Sequence, residues 1–125
     1  MPDCFLDNMH VENGNSGAAK TINVTRGSDH SLTLTANCVV NVAGLVANKP
    51  TWCQLTTKQG GGGTNTISFV GTVTPTNGGV PFQITAVTPG GTGVPLTPAL
   101  FAEDIISIFW NGTKLYTQIS GSNWA

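Results

Sequence analysis

Few residues in this chain are equipped for chemistry, and the first to weigh is Asp29-His30-Ser31, which holds the letters of a hydrolytic triad. Three consecutive residues cannot set acid, base and nucleophile in one line, so the run reads as a turn whose Asp and Ser bond the local backbone. Glu103-Asp104 is the only adjacent carboxylate pair. In an extended segment neighbours point to opposite faces, so the pair suits capping of backbone amides, or a contact with Lys114 across a hairpin, better than acid–base work. His10, His30, the dispersed carboxylates and the cysteines at 4, 38 and 53 show no metal-ligand spacing. Gly60-Gly61-Gly62-Gly63-Thr64 lacks the Lys-Ser/Thr of a phosphate loop and reads as a turn. No catalytic residue, metal or cofactor is expected.

Composition bounds the partners. The chain has 125 residues, suited to one domain, and only 9% are charged, with a net charge of −1. Thr, Asn and Gly replace the missing charge, which suits strands and surfaces that meet other proteins. Lys20, Arg26, Lys49, Lys58 and Lys114 are scattered, so no nucleic-acid footprint is expected. No apolar stretch is long enough for a helical membrane span, and the start lacks a secretory pattern, so synthesis in a cytoplasm is expected. An odd cysteine count argues against a disulfide-stapled fold. Cys38 and Cys53 read as small core residues whose inward faces on nearby strands permit a bond. Cys4 reads as a free thiol or a cross-link to a neighbouring subunit.

These residues sit on short strands. Residues 1–19 read as an arm with one apolar cluster, Cys4-Phe5-Leu6, that orders against a partner. From Lys20 onward the period is two. Leu32, Leu34, Cys38, Val40 and Val42 mark one face, with Thr33, Thr35, Val39 and Asn41 on the other. Further strands are expected over 52–57, 66–70, 81–87, 105–110 and 115–119, with Asn111-Gly112 as a type I′ hairpin turn. Pro98-Ala99-Leu100-Phe101 could form one helical turn. The expected fold is all-β, an antiparallel jelly-roll-like sandwich over 20–125. Phe69 and Phe109 read as core. Trp52, Trp110, Tyr116 and the terminal Trp124 read as a subunit interface or a glycan contact.

Several blocks, in order, resemble a module of tailed-bacteriophage structural proteins. They are Gly27-Ser28-Asp29-His30-Ser31-Leu32-Thr33-Leu34-Thr35-Ala36-Asn37, the Leu55–Gly63 strand ending in Gln before glycines, Asn65-Thr66-Ile67-Ser68-Phe69, and the segment from Pro89 to Tyr116. The resemblance covers roughly 20–120, apart from an insertion at 71–88. It implies a β-sandwich of a virion protein, often trimeric, such as a tail or collar fibre, head fibre or capsid-decoration protein. The expected partners are copies of itself and capsid, portal, neck or tail proteins. The alternative expectation is a receptor-recognition module at a fibre tip that binds host-surface glycan.

Overall fold

The computed structural model describes residues 10–60, 63–88 and 93–124. Strands β1 (His10–Asn15), β3 (Asp29–Leu34), β5 (Thr51–Gln59), β8 (Glu103–Trp110) and β9 (Leu115–Trp124) form a five-stranded sheet in the order β1-β3-β5-β8-β9. Strands β2 (Ala19–Asn23), β4 (Cys38–Val46), β6 (Ile67–Thr74) and β7 (Phe82–Thr85) form a four-stranded sheet in the order β2-β4-β6-β7. No α-helix occurs among the described residues. The expected helical turn at 98–101 is instead a single turn closed by Ala102 N donating to Ala99 O at 3.0 Å, and one 3-10 turn covers Val24–Arg26. The architecture is all-β in two layers around one apolar core.

The expected all-antiparallel pairing does not hold. β1–β3, β3–β5, β2–β4 and β4–β6 are parallel; β5–β8, β8–β9 and β6–β7 are antiparallel. The first six strands alternate between the two sheets, so the chain coils around the core and lays each strand beside the one from the preceding turn. The physical reason lies in the turns. Gly17 has φ of 61° and Asn48 has φ of 63°, and the chain bends there from one layer to the other rather than back beside its own strand. Only the β6–β7 and β8–β9 connections return the chain beside its preceding strand.

Alternation nevertheless places the core correctly on β3 and β4. Leu32, Leu34, Cys38, Val40 and Val42 are buried, and they meet Leu55, Ile106 and Ile108 of the larger sheet and Ile67, Phe69 and Val73 of the smaller. Gly71 lets the two layers approach closely, because a Cβ there would lie 2.9 Å from Leu45 Cδ1 and 3.0 Å from Leu115 Cδ2. Part of the expected arm belongs to this fold: His10–Asn15 is an edge strand fastened to β3. Cys4, Phe5 and Leu6 lie outside the described residues.

The 111–114 turn also differs from expectation. Only Gly112 takes a positive φ, 99°. Asn111 Oδ1 accepts the amides of Thr113 and Lys114 at 2.8 and 2.7 Å, so four residues rather than two link Trp110 to Leu115. The Asn side chain holds the turn that was expected to rest on its backbone.

Candidate functional site on the outer face of the five-stranded sheet

The register of the larger sheet gathers its outward side chains into cross-strand rows. Trp52 on β5 lies opposite Phe109 on β8, which lies opposite Tyr116 on β9. All three face solvent, at 52%, 41% and 38% exposure, well above the few per cent typical of the core. The Phe109 and Tyr116 rings stack with centroids 6.4 Å apart and planes inclined by 21°. Val87 bridges to the far side of Tyr116 and is also exposed. The outcome is an aromatic ridge across three strands.

Trp110 is not part of that ridge. It is 1% exposed, and its indole N–H donates to Val46 O at 2.8 Å. The assignment of Phe109 to the core and Trp110 to the surface is therefore reversed. Apolar residues occupy both parities of Ile105-Ile106-Ser107-Ile108-Phe109-Trp110, so alternation alone cannot choose a face there. The layer that includes Ile106 and Ile108 takes the larger ring inward, where the carbonyl of Val46 satisfies its one donor. The side chain of Trp124 lies outside the described residues.

Next to the aromatic row lies a polar one: His10, Asp29, Gln54, Ser107 and Gln118, each opposite the next across all five strands. His10 Nδ1 meets Asp29 Oδ2 at 2.8 Å, and Gln54 Nε2 donates to Asp29 Oδ1 at 3.5 Å. On the other side of the ring His10 Nε2 lies 3.2 Å from Ser31 Oγ. An Asp–His–Ser line thus exists, but through His10 rather than His30. Parallel pairing of β1 with β3 creates it, and sequence order concealed it.

Two features weigh against hydrolysis by this line. The Ser31 hydroxyl has one proton, and it donates to Glu12 Oε2 at 2.7 Å, closer than the imidazole. That bond, followed by the Gly14 amide at 3.1 Å, holds the Glu12 carboxyl below its ordinary range. Second, β3 is paired on both sides, with β1 and β5, so its backbone amides lie in the plane of the sheet rather than over the face. The network works as a clasp between β1 and β3.

His30 points the other way and is fully buried. Its Nε2 donates to Gly27 O at 3.0 Å, and Nδ1 meets Asn13 Nδ2 at 3.2 Å, an arrangement that fits a neutral ring. Burial pushes its pKa below the ordinary histidine value. Asp104 is buried too, and accepts Thr97 N at 2.7 Å and Thr97 Oγ1 at 2.8 Å. It caps a loop amide, as one expectation for the acidic pair had it. Gln59 is likewise buried: its side chain donates to Asn65 O and accepts from Asn65 N, closing the glycine-rich loop that follows it.

Cys38 and Cys53 are free thiols, not the permitted disulfide. Cys38 begins β4 beside Ile67, at the end of the layers where β3 and β5 finish; Cys53 sits near the start of β5, opposite Ile108. They occupy opposite ends of the molecule, far beyond the roughly 7 Å Cα separation that a disulfide tolerates. Burial raises both thiols, Cys53 to about 12. Among the described residues no group of three or more His, Cys, Asp or Glu side chains is placed to hold a metal ion.

A groove of about 440 Å³ opens at the Trp52 end of the ridge, between the 3-10 turn, the Gly44–Val46 stretch and the Lys49–Trp52 stretch. Trp52, Thr25, Ser28, Thr51 and Lys49 line it. No known family, curated protein or solved structure matches the chain.

Proposed function

We propose that this protein is a non-enzymatic structural protein of a tailed-bacteriophage virion, attached to the capsid or neck as a decoration or head-fibre protein and working as a homotrimer. Binding the assembled particle and not its loose parts stabilises the assembled state by mass action. The ordered motif blocks from Gly27 to Tyr116 favour this reading. The structural observation that carries it is the apolar surface around β7, the four-residue edge strand of the smaller sheet. Val80 is 85% exposed and Phe82 48%. A lone soluble chain gains nothing by holding such side chains in water, whereas a subunit contact buries them. The short strand also leaves an unpaired edge beside them.

The test pairs the mass of the free protein in solution with its copy number in purified particles. The expected result is a trimer that Val80→Asp converts to monomer, and a fixed stoichiometry per virion. A monomer at all concentrations that is absent from particles overturns the reading.

A further inference from the structure

We propose that β1 is an acid-released strand. The neutral His30 ring beneath it keeps the β1–β3 seam closed; protonation of that ring opens the seam while the two-layer core stays shut. The seam has a bulge in its ladder. Its register shifts between Glu12 and Asn15, and Gly14 within that step takes φ of 73°. Alternate residues of a strand turn their backbone groups to the same neighbour. Thr33 O accepts Ser16 N at 2.8 Å, just past the end of β1, so Ser31 O also faces β1. At the bulge the Asn13 side chain supplies its donor, with Nδ2 3.1 Å from Ser31 O. The same nitrogen lies 3.2 Å from His30 Nδ1.

Protonation sets those two bonds against each other. His30 Nε2 donates to Gly27 O at 3.0 Å, so in the neutral ring Nδ1 accepts, and the Asn13 amide serves both it and Ser31 O. An imidazolium donates from both nitrogens, so its Nδ1–H meets an NH2 group. If Asn13 turns its oxygen to the ring, Ser31 O loses its donor. If Asn13 stays, a fully buried cation lacks an acceptor. Departure of β1 resolves the conflict by giving Nδ1 to water. Burial already disfavours the charged ring in the closed state, so acid shifts the balance toward the open one.

Little else holds β1 down. Val11 is its one buried apolar side chain and stands outside the core cluster, so detachment leaves both layers packed. The charged and titratable groups around His30 are Asp29 on β3, His10 and Glu12 on β1, and Arg26 in the 3-10 turn. Asp29 favours the charged ring, whereas His10 and Arg26 disfavour it. From β5, Leu55 lies opposite His30, and Cys53, two residues back, stays a neutral thiol. A proton on His10 strengthens its pair with Asp29, but both side chains are exposed and such a pair holds weakly in water. Glu12, held below its ordinary 4.5, keeps its bonds to Ser31 and Gly14 until lower pH. Between about pH 6.5 and 4.5, His30 therefore decides. Opening leaves β3 as a bare sheet edge. The virion reading rests on β7 in the other sheet, so each can fail without the other.

Amide hydrogen exchange at pH 7 and pH 5, corrected for intrinsic rates, reads the release. Protection of the β1 amides and of Ser16 is expected to fall about tenfold or more at pH 5, while β4, β5, β6 and β8 change far less. His30→Gln keeps a neutral donor and acceptor and is expected to abolish the difference. Asn13→Asp tests the same joint without touching the core, and decides if the first variant does not fold. Its carboxylate accepts from the charged ring, so β1 is expected to hold better at pH 5 than at pH 7. His10→Asn leaves the release in place. The proposal is overturned if β1 keeps its protection at pH 5, or if all strands lose protection together. It is equally overturned if the release survives His30→Gln, persists in Asn13→Asp or vanishes in His10→Asn.

Discussion

Single side chains in this protein are decided by which partner waits inside. Trp110 turns inward because Val46 O is there to take its N–H. Trp110→Phe keeps a ring and loses only that bond, since Val46 O still accepts the Lys49 amide at 3.1 Å, so it should cost about 0.5–1.5 kcal/mol, the net worth of one hydrogen bond. Chemical denaturation checks the loss. His30 sets the acid limit. Its folded pKa lies below the ordinary value of about 6.5, so the unfolded chain takes up a proton first as pH falls. Stability is therefore fully present above about pH 6.5 and declines as pH drops toward the folded pKa. Denaturation midpoints at pH 7 and pH 5 should differ, and His30→Gln should flatten that difference. Glu12 acts lower: its depressed pKa contributes stability above its ordinary value of 4.5 that is lost as pH falls below it. Cys53, with its thiol pushed up to about 12, should resist alkylation at pH 8 in the native protein and react only once unfolded, as peptide mapping would show.

At the scale of elements, much of the strand layout was legible in the sequence, while strand direction and two of the faces were not. The face of Leu32, Leu34, Cys38, Val40 and Val42 could be read because one parity alone is apolar there. On β8 both parities are apolar, and the reading of Phe109 and Trp110 inverted. Parallel pairing was invisible for a different reason. Side chains alternate with period two in either direction, so the pattern carries no sign of which way the neighbour runs. His10 beside Asp29 and Ser31 follows from that pairing and shared its invisibility. The exposed Trp52 and Tyr116 were legible, but not the row they make with Phe109, which needs the register. Loop clamps were half legible: an acid capping an amide was foreseen, its target Thr97 was not. Asp104→Ala removes both bonds to Thr97 and should destabilise by about 1.5–3 kcal/mol, the range for hydrogen bonds to charged groups, without changing the exposed ridge. Thermal unfolding gives the first effect and amide shifts of Trp52, Phe109 and Tyr116 test the second.

On the scale of the whole molecule, the coil of six strands and the antiparallel close at β7–β9 divide the ladders unequally. β3, β5 and β8 have a partner on each side in the larger sheet, as do β4 and β6 in the smaller; β1, β2, β7 and β9 do not. A strand paired on both sides opens only with the layers around it, whereas an edge can detach while the core stays shut. Among the edges, β1 has its polar clasp through Asp29, Ser31 and Glu12, and β9 is held by Val87, whose N–H donates to Leu115 O at 2.7 Å while Val87 O accepts from Thr117 N at 3.0 Å. β7 is the shortest strand and has exposed side chains at three of its four positions. Hydrogen exchange should therefore be slowest in β3–β6 and β8 and fastest in β7. If β7 is the contact proposed for neighbouring subunits, raising the protein concentration through assembly should slow β7 selectively, leaving β1 and the groove at Trp52 unchanged. Slowing that spread evenly over all edges, or that appeared at β1 first, would place the contact on the other sheet.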